Sequence, residues 1–181
     1  MCRAIDVANF FIETARSSKS ISMTNLRLNK LLYFAQGWSL ARNGKPLFPD
    51  EIQAWDLGPV VSDIYHKFSR YGSNEIEKTS GEYSSRVFSN DELNLLIDVI
   101  REYGERNTCE LVDLSHQNGS PWKDAYSEMR NTTISQDSIR NYFSKGKMQN
   151  SFQMPTFSEN DSVGFRDEEG FLVLPKEYDD D

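Results

Sequence analysis

Residues 26–68 read LRLNKLLYFAQGWSLARNGKPLFPDEIQAWDLGPVVSDIYHKF, and the fold turns on how this stretch is read. Leu28, Leu31, Leu32, Ala35, Trp38 and Ala41 recur at steps of three and four, which predicts an amphipathic helix with Thr24 placed to cap its start. Asn43 and Gly44 end it. Pro46 and Pro49 exclude helix from the next segment, so Ile52, Ala54 and Trp55 belong to a short extended piece, and Gly58-Pro59 is expected to turn the chain into a second helix opening at Val60. Val61, Ile64, Tyr65 and Phe68 fall on one side of that helix, which should stop near Tyr71-Gly72.

Working outward, Ile5, Ala8, Phe11, Ile12 and Ala15 give a first helix over 4–16 one apolar stripe, and a polar linker follows from Ser17 to Ser22. Residues 74–87 are polar except for Ile76, Tyr83 and Val87, as in a surface loop or short hairpin. Ser89 and Glu92 have the spacing of a capping box ahead of Leu93, Leu96, Ile97 and Ile100, with Gly104 ending that helix. Thr108 is positioned to cap a helix carrying Leu111, Val112 and Leu114; Ser120-Pro121 opens another expected to reach Arg130, and a last one spans 135–144. The fold class predicted is mainly α: one compact domain of about seven helices with one or two short strand pairs, followed by a hairpin-like acidic extension. The boundary is placed after residue 147, with the extension at 148–181.

The run Asn29 to Trp38, then Gly44 to Phe48, Ala54-Trp55 and Gly58-Pro59-Val60-Val61, with Leu114-Ser115-His116 and Pro121-Trp122 downstream, resembles the Panacea domain, also called SocA-like or GepA-like, of prokaryotes and their phages. Several aromatic and proline positions in order, over roughly residues 5–145, are more specific than any short pattern. The resemblance implies an antitoxin that neutralises a co-produced protein toxin by direct binding. It also implies an alternative, an adaptor that delivers a toxin or another client to a protease, or a phage-associated regulator. The matched positions Lys30, Tyr33, Trp38, Trp55, Gly58, Pro59, His116 and Trp122 are then candidates for the family's fold or its partner interface.

Charge narrows the partners. The 181 residues carry a net charge of −8, and residues 151–181 alone hold nine acidic against two basic side chains. A nearly neutral body with an acidic end argues against nucleic acid, whose phosphates are met by clustered Lys and Arg, and suits a basic protein surface. No apolar run approaches the ~20 residues of a membrane span, and two cysteines without a CxxC fit reduced thiols, so a cytoplasmic protein is expected.

Chemistry has little to build on. Cys109, Asp113 and His116 share a face if 108–116 is helical, but seven helical residues separate thiol and imidazole by ~10 Å, where a nucleophile needs its base within ~3 Å. A buried thiol beside a structural histidine is the reading left. His66 and His116 lack zinc-site spacing, and no phosphate-cradling glycine loop occurs, so no catalytic residue, metal or cofactor is assigned. Trp38 is in phase with Leu28 and Leu31 and reads as core; for Trp55 and Trp122, at element ends, core and interface both stay open. Lys30, a charge inside an apolar run, reads either as a stem snorkelling its ammonium into water or as a buried ion pair or partner contact. In the extension, 163–166 and 171–174 flank Asp167-Glu168-Glu169-Gly170 as a hairpin would, and Phe165, Phe171 and Leu172 must cover either this chain's own domain or a partner.

Overall fold

The computed structural model describes residues 2–146, apart from Lys19, Glu82 and Met129, and the backbone of two short segments further on. Among the described residues there are seven α-helices: α1 (Ala4–Ser17), α2 (Asn25–Asn43), α3 (Ser62–Phe68), α4 (Asn90–Tyr103), α5 (Thr108–Ser115), α6 (Pro121–Ala125) and α7 (Gln136–Phe143). Strands β1 (Gln53–Trp55), β2 (Gly58–Val60) and β3 (Thr132–Thr133) form an antiparallel sheet in the order β2-β1-β3. The mainly α class with a small sheet is as the sequence indicates. No described helix is long and apolar enough to cross a membrane.

Helix α2 is the spine, packing against α1, α3, α4, α5, α7 and β2. It starts where Thr24 accepts a hydrogen bond from the Arg27 amide. Its six-residue apolar stripe predicts one wet face, yet every residue from Arg27 to Leu40 is buried. The polar side chains caught inside are satisfied by loop backbone. The Arg27 guanidinium donates to the Gly104 and Arg106 carbonyls, both at 2.8 Å, holding the carboxyl end of α4, where exposed carbonyls favour a cation. Gln36 accepts from the Leu47 amide at 2.8 Å and donates to the Phe48 carbonyl at 3.0 Å, and Ser39 donates to Lys45. Buried backbone needs partners, and here one helix supplies them to two loops.

The rest of the core closes around α2. α1 turns Ala4, Val7, Ala8, Phe11, Ile12 and Ala15 inward, with Ile5 only partly covered. Against the other side, Phe34 stacks on Tyr103 at 4.3 Å, and Phe143 meets Tyr33 and Trp38 edge-on. The Trp38 indole donates to the Tyr103 hydroxyl at 3.0 Å, so the core reading of Trp38 holds with its N–H paired. Arg42 pairs with the buried Asp98 of α4 at 2.5 Å.

Four boundaries differ from the sequence reading. Asn107, not Thr108, caps α5, accepting from the Glu110 amide. α6 begins at Ser120-Pro121 as expected but ends at Ala125, where Tyr126 turns extended and its hydroxyl donates to Asp56 in the β1–β2 turn. Gly58-Pro59 is not the turn: Asp56 and Leu57 are, Gly58 to Val60 forms β2, and α3 starts at Ser62. β3 was not expected as a strand. Residues 74–87 form a loop, as one of the two readings had it, with a bridge from Glu75 to Thr24 and a 3-10 turn over Ser85–Val87.

The capping box at the start of α4 is present, with Ser89 accepting from the Glu92 amide and Glu92 accepting from the Ser89 amide at 2.8 Å. Ser89→Ala should cost about 1 kcal/mol of stability in urea melts; an unchanged midpoint would show that packing alone fixes this helix start. Phe165–Arg166 pairs antiparallel with Leu172–Val173, within the two runs expected to form a hairpin. Phe171, the connection 167–170 and the rest of 147–181 lie outside the described residues, as do the side chains of Phe165 and Leu172.

Candidate functional site

The motif residues Lys30, Trp55, Gly58, Pro59, His116 and Trp122 converge on the β1–β2 hairpin. β1 and β2 pair with Gln53 opposite Val60, Ala54 opposite Pro59 and Trp55 opposite Gly58. Proline has no N–H to give a ladder, so β2 is an edge strand and Pro59 directs its carbonyl outward. Helix α2 meets that edge: Lys30 Nζ donates to the Pro59 carbonyl at 3.1 Å, and Asn29 Oδ1 accepts from the Val61 amide at 3.0 Å. Gly58 has φ 108°, and the Lys30 terminus occupies the place where a side chain there would start.

Lys30 is 0 % exposed, so neither sequence reading describes it. Its ammonium does not snorkel to water, and its recorded hydrogen bond is to a carbonyl rather than to a carboxylate. Burial holds its pKa down to about 7, and a neutral amine still donates the hydrogen bond Pro59 needs. On the far side sits His116, which follows α5 and stacks on Trp122 at 3.6 Å; Trp122 in turn stacks on Tyr126 at 4.8 Å and donates its indole N–H to the Trp55 carbonyl at 2.8 Å. Burial first, then the Lys30 charge, lowers the His116 pKa, with Asp113 opposing and Lys123 adding to the fall. His116 Nε2 is buried with no recorded partner.

This arrangement does not bring Cys109 to His116. Cys109 is exposed at the start of α5, not the buried thiol expected beside a structural histidine, while His116 caps the helix at its other end. The buried face of α5 is set by Leu111 and Ser115, which leaves Cys109 outside. Among the described residues no three His, Cys, Asp or Glu groups converge to hold a metal. Tyr33 lies apart from the hairpin, buried in the aromatic cluster with Trp38 and Phe143, and burial raises its pKa.

Of the matched tryptophans, only Trp55 keeps appreciable exposed surface. It packs edge-on against Tyr65 at 4.9 Å and beside His66 at 5.9 Å. Leu57, at the hairpin tip, is 60 % exposed, and Tyr65 is 36 % exposed. Together with Leu26, Asp56 and Val60 these residues border a groove of about 560 Å³. Leu57 and Tyr65 were not singled out in the sequence as site residues; the available signal was a leucine between Asp56 and Gly58, where turn chemistry favours polar residues.

The family described as antitoxin SocA-like, Panacea domain, matches residues 28–123, which contain the hairpin, its supports on α2 and α5, and Trp122. Antitoxin SocA of Caulobacter vibrioides (strain NA1000 / CB15N) is 31% identical over 129 residues, covering 64% of this chain. The chain spans 66% of that relative's length, slightly under two thirds. No solved structure matches.

Proposed function

The chain belongs to the antitoxin SocA-like, Panacea-domain family, and from that premise we propose that it neutralises a co-produced protein toxin by direct, stoichiometric binding. The observation that carries this reading is the family match over the hairpin and its supports, whose side chains stack and hydrogen-bond into one unit. Turnover by the chain itself has no part in the mechanism. Residues 1–147 act as the Panacea domain. The acidic extension, 148–181, adds electrostatic attraction to a basic toxin surface, with Phe165, Phe171 and Leu172 supplying apolar contact.

Co-expression with the product of the neighbouring reading frame tests the proposal. Expected are rescued growth, a complex with one antitoxin per toxin, and protection retained by Cys109→Ala. Rescue without any complex, or protection lost in Cys109→Ala or His116→Gln while fold and toxin binding persist, would overturn it. Truncation after residue 147 should slow association and flatten its salt dependence, because exposed charges are screened beyond ~8 Å at physiological ionic strength.

A further inference from the structure

The groove beside the hairpin has the form of a docking site. Its apolar walls are Leu26, Trp55, Leu57, Val60 and Tyr65, with asparagine and serine side chains between them, and its volume of about 560 Å³ accommodates large side chains from another molecule. The walls are held before anything binds: Asn25, at one end, donates to the Tyr65 carbonyl at 2.9 Å, Trp55 donates to Gln53 at 2.9 Å, and the Trp55–Tyr65 contact is edge-on. A leucine left 60 % exposed on a tight turn next to half-covered aromatics is surface that binding would remove from water.

Charge selects the occupant. Among the described residues Asp56 is the one charged group bordering the groove, and it accepts a hydrogen bond from the Tyr126 hydroxyl at Oδ1, 3.0 Å away. An apolar occupant that covered this carboxylate without a cation would strip its water and give nothing back. The acidic extension of this chain, with nine acidic and two basic residues over 151–181, brings the wrong sign, as does a second copy of a chain at −8. We propose that the groove docks a segment of the toxin in which a large apolar side chain is flanked by lysine or arginine, the apolar group entering between Trp55, Leu57 and Tyr65 and the cation meeting Asp56. This inference rests on the antitoxin reading for the identity of its partner.

The test uses the full chain with two probes, the toxin encoded beside it and a synthetic peptide with a central leucine between arginines; a copy with glutamates for the arginines is the control. Both probes should bind the wild type and the glutamate peptide should not. Leu57→Ser and Asp56→Asn should each weaken both probes by about tenfold or more, and binding to Asp56→Asn should depend less on salt than wild-type binding. Both positions are exposed, and asparagine keeps an acceptor for Tyr126, so melting curves should match the wild type. Toxin binding that survives both substitutions overturns the groove and leaves the antitoxin reading standing. A toxin that never binds the wild type overturns the antitoxin reading and the toxin as occupant; in that case peptide binding lost in both variants supports the groove's preference, and peptide binding unchanged in both overturns it.

Discussion

Gly58→Val should lower the melting temperature by roughly 10 °C, and Pro59→Ala by only a few degrees. A β-branched residue at φ 108° is outside the conformations an L side chain adopts readily, at a cost of about 1–3 kcal/mol. Its Cβ would stand 2.7 Å from Lys30 Cε and Nζ and 2.9 Å from Ser115 Oγ. Those atoms cannot simply step aside. Lys30 is enclosed and bonded to Pro59, and Ser115 donates to the Val112 carbonyl at 2.7 Å, so overpacking adds about 1–3 kcal/mol more. Each kcal/mol shifts the midpoint of a domain this size by about 2–4 °C. Pro59→Ala keeps the extended backbone and loses mainly ring packing and some stiffness of the unfolded chain, on the order of 1 kcal/mol. Equal melting temperatures for the two variants would mean that the Lys30 pocket yields freely, and the proposed rigidity of the hairpin would fall with it.

Features whose chemistry closes within a few residues were legible in the sequence. Thr24, the Ser89–Glu92 box and Ser120-Pro121 each cap a helix because acceptor and donor are three positions apart. Apart from the Asn107 cap, which lies one position before Thr108, what was missed depends on partners far along the chain. The stripe on α2 predicts a wet face, but Arg27 finds Gly104 across 77 positions and Lys30 finds Pro59 across 29, and nothing local announces either pairing. Gly58-Pro59 looked like a turn because proline opposes strands. It is tolerated in β2 only because β2 lies at an edge that α2 covers, a tertiary fact. α6 ran too far on paper because the pull of Asp56 on Tyr126 comes from another element. At the site, the motif marked the supports, most of them buried, more clearly than the exposed surface they carry.

Lys30→Met should remove a component of stability that depends on pH. The amine has an ordinary value of 10.5 when the chain is unfolded and about 7 when buried. Between those values the unfolded chain binds a proton that the folded chain does not, so the free energy of unfolding rises with pH, by at most ~1.4 kcal/mol per pH unit. Stability from this group is therefore fully present above pH 10.5 and is lost as pH falls toward 7. Methionine has the length to fill the space but cannot donate to Pro59, which leaves a buried carbonyl unpaired at about 1–3 kcal/mol. Working against that loss, the variant no longer desolvates an ammonium at neutral pH. Between pH 7 and pH 10 the wild type should therefore gain roughly 3–4 kcal/mol on the variant, which is the more stable of the two near pH 7 and is level with or behind the wild type by pH 10, measured as the difference between paired urea melts. Tyrosines and exposed lysines titrate in both proteins and cancel in that difference. A difference flat in pH would mean that the Lys30 ammonium reaches water after all, and that Pro59 is held from the edge of the sheet by something other than this amine.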